Sequence, residues 1–447
     1  MNLKNQINKA GNNAAALEQI YRQALAAGSE ASFKEAIGQC AIEHPENVLF
    51  QAWAYRLDVL ALPPLVSGVE AQHASHDQMQ RWWIAVATSV ILGVLFAIFA
   101  GNRPPVPIPG QANPLFWIGW SPLTALGILF YLALVDRTQW RPYGYAALVI
   151  IPLALYIAAT VWGRADDLAI LTALHLPFVM WAMVGFALAL RYPDPARQCY
   201  AYLVKSVETV LVGGIYFGAG AIFLVLTYGI FAALGIHLPE DKLQVVAAWG
   251  IGAIPMLALA SVYDPKVAPA AQDWATGLTR ILRIVTQFIL PLAIAVLAIY
   301  VFWFIPAYFW RPFQEREVLI VYNATILAIL VLLTIVVSAP MDERSPRQNI
   351  ILRYGLLALV GLSLLLNIYA LAAILSRTFQ FGLTPNRYAV LGWNLVTLLM
   401  LTVIGIRQWR GRSQQWIFII RESIARVSVL AVLWAVWVLI GLPLSFK

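Results

Sequence analysis

Residues 318–338 read VLIVYNATILAILVLLTIVVS, a run without a single charged side chain. Coiled as a helix at 1.5 Å per residue, such a run reaches about 30 Å, the thickness of a bilayer's hydrocarbon core. Its apolar residues are continuous rather than alternating, which selects a spanning helix over a barrel strand. Working outward, ten further blocks of the same kind occupy residues 82–100, 114–135, 143–162, 168–190, 210–234, 243–262, 284–304, 354–374, 388–406 and 427–444. The composition agrees: 61% of the 447 residues are hydrophobic, 12% are charged, and the mean hydropathy is +0.74. That is too little polar surface to cover a water-soluble globule, so soluble enzyme folds are excluded. The sequence predicts an all-α polytopic membrane protein of about eleven spans over residues 82–447, preceded by a cytoplasmic helical segment over 1–62 and a juxtamembrane linker over 63–81.

Cytoplasmic loops carry the excess of Lys and Arg, so a missed or invented span would scramble the alternation of basic loops. Of the 30 basic residues, 22 fall in the N-terminal segment and in loops on its side, and 8 fall on the other. This predicts a cytoplasmic N-terminus and an external C-terminus. No basic segment followed by a short apolar core marks a cleavable signal in the first 80 residues, so the first span is expected to direct insertion. The net charge of +8 reflects that bias and contact with membrane lipid; nucleic acid is not an expected partner. Cys40 and Cys199 both fall on the cytoplasmic side, where thiols stay reduced.

Ahead of the membrane, three short helices are expected. The first lies near residues 14–27 with Leu17, Ile20, Tyr21 and Leu25 on one stripe, the second near 32–42 with Phe33, Ile37 and Cys40, and the third over about 46–60 with Val48, Phe50 and Trp53. So small a bundle is marginal alone, which suggests a protein partner docking there. The spacing of His73, His76 and Asp77 could place ligands on one helical face, but two histidines on a polar juxtamembrane helix read as solvated rather than metallated.

The marks of catalysis are missing. There is no glycine-rich phosphate loop, no HExxH, no GxSxG and no CxxC, so no catalytic residue, cofactor or metal site is assigned. Asp166 and Asp167 form an external acidic pair that suits either a divalent cation or the N-terminal dipole of the next helix. Within the spans the polar residues are uncharged. His175, Asn323, Asn367 and Asn394 all fall roughly 8–11 Å below the external face, counting 1.5 Å per residue along each span, with Tyr228 at a similar depth. The coincidence suggests an outward polar cavity, with Pro177 able to bend its helix; amides that merely bond neighbouring helices, and a satisfied core histidine, account for the same residues. The small residues Gly213, Gly214, Gly218 and Gly220, and the pair Ala248 and Gly252, are expected where helices pack closely. Lys205 and Glu208, three apart, are expected to pair at the cytoplasmic end of their helix.

The external hairpin at residues 377–387 reads RTFQFGLTPNR. Gly382 suits a tight turn, Thr384 a helix cap and Pro385 the first helical turn. Arg377 and Arg387 flank the mouth of the polar layer, where they would draw an anion or meet headgroups and Glu315 or Glu317. The string Phe381 to Arg387, FGLTPNR, resembles the YGLT-x-x-R-like motif of an uncharacterised bacterial family of polytopic inner-membrane proteins, with Phe where Tyr is expected. The likeness extends over the Pro291 region, ILPLAIAVLAIY, and over LRYGLLALVGLSLLLNIYAL, or roughly residues 280–406. It implies a bacterial cytoplasmic membrane and no established activity. The reading that results is a non-enzymatic scaffold or accessory subunit. The alternative is a transporter or lipid-binding protein with His175, Asn323, Asn367, Asn394, Arg377 and Arg387 lining its cavity, and an envelope lipid or glycan enzyme comes third. Oligomeric state is left open.

Overall fold

The computed structural model describes residues 3–57, 59, 69–101, 114–161, 167–234, 239–272, 285–338, 346–411 and 416–446. These residues form helices and connecting turns, and no strand occurs among them. The chain divides into two compact units, Met1–Gln80 and Arg81–Lys447.

Among its described residues up to Leu57, the first unit contains four helices, α1 (Leu3–Ala10), α2 (Ala14–Ala26), α3 (Glu30–Glu43) and α4 (Val48–Arg56). Asn13 and Asn47 start α2 and α4 by accepting backbone N–H bonds with their side chains, which satisfies donors that a helix start leaves open. Ile7, Leu17, Phe33, Ile37, Cys40, Phe50 and Trp53 form the core. Helix α1 is not anticipated by the sequence, because LKNQINKA offers only Leu3 and Ile7 as an apolar stripe; Ile7 nevertheless inserts fully into the core. Leu25 and Val48, assigned above to apolar stripes, are instead exposed.

The second unit is the membrane domain. Eleven helices among the described residues are long and apolar enough to span a bilayer, confirming a polytopic all-α membrane protein. They comprise α5 (Val69–Ala100), α6 (Pro114–Val135), α7 (Arg141–Val161), α8 (Asp167–Ala189), α9 (Pro195–Ala233), α10 (Glu240–Val262), α11 (Leu290–Ile299), α12 (Arg316–Ser338), α13 (Pro346–Phe381), α14 (Pro385–Arg410) and α15 (Trp416–Ser445). Helix α11 is extended at both ends by π-helical turns, Val285–Ile289 and Tyr300–Phe304. Helices α6, α7 and α8 pack together, and α12, α13 and α14 pack in sequence beside them. The last helix joins the groups, since α15 lies against α8, α9, α12 and α14. Its Ile417, Ile420, Ile424 and Ala431 belong to the core built on α11–α14, whereas Ala435 and Leu439 belong to the core built on α6–α8.

The expectation of close packing at the small residues holds for Ala248 and Gly252 and for Gly213, where an added Cβ would lie 3.5 Å from the Ala258 Cβ, and fails for the other three glycines of α9. Gly252 lies against Phe96 and the Leu92 carbonyl, and Ala248 is fully buried. Gly214, Gly218 and Gly220 have open space where a Cβ would stand, because α9 beyond Thr209 is covered on little more than the side facing α10.

Candidate functional site

One turn of α14 gathers the polar residues of the spans. Trp393, Asn394 and Thr397 bond three different neighbours, on a helix that packs against α8, α13 and α15 and reaches α12 through Asn394. Trp393 donates its indole N–H to His175 Nε2 on α8 at 2.6 Å. Asn394 donates to Asn323 Oδ1 on α12 at 2.7 Å. Thr397 Oγ1 accepts from Asn367 Nδ2 on α13 at 2.7 Å and donates to the Trp393 carbonyl. The four residues singled out by depth are therefore brought together through a single helix. Tyr228, on the exposed stretch of α9, stands apart from them.

The state of His175 follows from its partners. Its Nδ1 lies 2.6 Å from the Leu171 carbonyl, which only accepts, so Nδ1 carries the proton and Nε2 receives the indole bond. The ring is a neutral imidazole with both nitrogens engaged, buried and stacked on Trp393. Asn367 and Asn394 are fully buried, and in each the side-chain oxygen has no hydrogen-bond donor among the described residues. The layer thus offers two open acceptors and no carboxylate or free base, a set that holds helices together or receives a neutral donor but does not transfer protons.

Arg377 and Arg387 serve the hairpin itself. Arg377 donates to the carbonyls of Phe313 and Gln314, and Arg387 to those of Phe381 and Gly382; both guanidiniums lie within 6 Å of the Phe381 ring centre, at 5.7 and 5.6 Å. Gly382 adopts a φ of +78°, Thr384 accepts the Arg387 N–H, and Pro385 opens α14, so FGLTPNR is a turn that satisfies its own backbone. Asp167 is exposed as the first residue of α8; Asp166 lies outside the described residues, as do the side chains of His73, His76, Asp77 and Glu317.

At the opposite end of the bundle the polar groups are charged. Arg191 bonds Asp136, Tyr143 and Gln139, with its guanidinium 1% exposed. Burial alone would raise the Asp136 pKa, but hydrogen bonds from Thr138 and Arg191, and the charge of Arg191, hold it below the ordinary carboxylate value. Arg81 pairs with Asp264 at 2.6 Å. Lys205 pairs with Glu208 at 2.7 Å and donates to the Val262 carbonyl, and both side chains are buried, more deeply than an interfacial pair requires. Beside them, a cavity of about 500 Å³ is lined by Asp194, Arg197, Tyr200, Ser338, Arg421 and Glu422, among others. Sequence reasoning missed it because each arginine there reads as ordinary positive-inside charge, and the lining comes from four segments of the chain, residues 194–204, Ala270, Ser338 and residues 418–422.

Searches against protein-family models, curated proteins and solved structures find no match to this chain.

Proposed function

We propose that this protein is a non-enzymatic scaffold or accessory subunit of a complex in the bacterial cytoplasmic membrane, with its N-terminal helical unit in the cytoplasm as the docking module for a protein partner. The observation that carries the reading is the contrast within that unit. It closes a core of its own around Phe33, Ile37, Phe50 and Trp53, yet leaves Ile42 and Val48, at either end of the loop between α3 and α4, 70% and 80% exposed. Apolar side chains held that far into water on a folded support are what a partner buries. The consumption of His175, Asn323, Arg377 and Arg387 in internal bonds supports a structural role for the spans. The positive-inside count supports the orientation, and the FGLTPNR turn supports kinship with the uncharacterised inner-membrane family.

The test is in-cell crosslinking of the full chain, comparing wild type with an Ile42→Glu, Val48→Glu variant. The expected result is loss of a defined crosslinked partner with membrane levels unchanged. An identical crosslinking pattern in the two proteins would remove the docking reading.

A second reading, transport or lipid handling through the amide layer, is favoured by the open oxygens of Asn367 and Asn394. Replacing both residues with Leu separates the two. A folded protein that has lost its cellular phenotype favours a ligand in the layer, and an unchanged phenotype favours packing alone.

A further inference from the structure

The cavity of about 500 Å³ at the charged end lies between the first turns of α9, the last turn of α12 and the first turns of α15. Its charges are not equivalent. Asp194 is occupied as the cap of α9, its carboxylate accepting the Arg197 backbone N–H, and it holds a left-handed backbone at φ +59° to do so. Glu422 is claimed by Arg426, four residues on, and by Arg407 at 3.8 Å. The two carboxylates are therefore already neutralised or engaged, which argues against a metal cation as occupant.

The cations are less committed. Arg421 donates to the carbonyls of Val337 and Ser338, neutral groups that leave its charge uncompensated. The exposed guanidinium of Arg197 makes no ion pair or hydrogen bond among the described residues. Tyr200 stands between the walls, its hydroxyl donating towards the Thr334 carbonyl and 2.9 Å from Ser338 Oγ. The lining itself holds two guanidiniums and two carboxylates; with Asp194 engaged by a backbone N–H and Glu422 by Arg407 and Arg426 from outside the lining, the charges of Arg197 and Arg421 are the ones left open, so the cavity suits an anion. Two arginines that project planar forks into one space suit a phosphate.

The level of the cavity identifies the source of that phosphate. Ser338 is the last residue of a spanning helix, so the cavity opens where hydrocarbon gives way to headgroups. Ala201, Val204 and Phe418 add an apolar wall, and α9 continues beyond it as an apolar surface exposed from Val210 onward. We propose that this cavity binds the headgroup of an anionic phospholipid, with its phosphate between Arg197 and Arg421 and its acyl chains against the apolar helices.

The experiment uses the full chain in detergent. Dioleoyl-phosphatidylglycerol is titrated against native mass spectra and thermal unfolding, with dioleoyl-phosphatidylcholine and inorganic phosphate as separate probes. Wild type is expected to retain phosphatidylglycerol selectively and to unfold at higher temperature with it, while the other two probes do neither. Arg197→Gln is expected to leave the fold intact, since that side chain holds no group among the described residues, and to bind phosphatidylglycerol about tenfold more weakly, the loss of one charge-assisted bond. Arg197→Lys is expected to recover part of the affinity. Arg410→Glu, which reverses an exposed charge in the last turn of α14 outside the cavity lining, is expected to bind as wild type does. Equal binding by wild type and Arg197→Gln, an equal loss in Arg410→Glu, or inorganic phosphate binding as tightly as the lipid would each overturn the proposal.

Discussion

At one end of the membrane domain, guanidinium, ammonium and carboxylate groups are paired: Arg191 with Asp136 and Lys205 with Glu208 in the interior, and Arg81 with Asp264 partly exposed. At the other end, an imidazole, an indole, a hydroxyl and three amides meet around one turn of α14, and none of them carries charge. Both levels fasten helices that are distant in sequence. They differ in what happens when one partner is lost. A charge stripped of its counterion keeps its full desolvation cost, whereas an amide deprived of its partner loses one bond of modest worth. The charged level specifies the fold strongly and tolerates little substitution; the amide level specifies it gently.

That contrast can be broken most forcefully at Asp136. Asp136→Asn leaves Arg191 buried without a counter-charge and is expected to cost about 3–5 kcal/mol, read as a fall in the thermal unfolding midpoint in detergent. A loss under 1 kcal/mol would mean that Tyr143 and Gln139 suffice to hold the guanidinium. Next is Gly392, whose missing Cβ leaves the place taken by the Trp434 ring of α15. Gly392→Val is expected to cost about 1–3 kcal/mol by overpacking, and pairing it with Trp434→Ala should recover part of the loss. At the amide level, Asn367→Leu is expected to cost only about 0.6–1.7 kcal/mol. A double-mutant cycle with Thr397→Val should return a coupling within that range, and a coupling above 3 kcal/mol would erase the distinction between the two levels.

The smallest effect is the response to acid. The Asp136 carboxyl is held below its ordinary value in the folded protein, so its contribution is present above the unfolded value of about 4 and is lost as pH falls through the folded value. Unfolding midpoints between pH 6 and pH 3 should fall less in Asp136→Asn than in wild type, and parallel curves would show that the pair does not sense pH.

The spans were legible because the membrane imposes a single rule, length without charge, that each block obeys alone. Their ends were not. Helix α13 begins at Pro346 and stops at Phe381, well beyond the apolar run 354–374, because Arg347, Arg353 and Arg377 continue the helix into polar surroundings. The depth of His175, Asn323, Asn367 and Asn394 could be counted from the span ends, and it picked out residues of four helices that do meet around one turn of α14. Their partners could not be found the same way: Trp393 reads as another apolar residue and Thr397 as a span filler until three neighbouring helices are placed around them. Long-range pairs such as Asp136 with Arg191 leave no local trace, and neither does the cavity at Arg197 and Arg421. Open glycines on α9 show the converse failure, a motif of close packing with nothing packed on it.

Helix α15 is synthesised after the ten other spanning helices among the described residues, and it is the one against which α8, α9, α12 and α14 rest. At translation rates of roughly 5–20 residues per second, the helices up to α10 wait on the order of 10–30 s in the membrane before residue 416 leaves the ribosome. During that interval both cores lack a wall. A ribosome that stalls in the loop before α15 thus releases an insertion product that holds the ten spans α5–α14 and whose interior is open, the kind of substrate that membrane proteases clear.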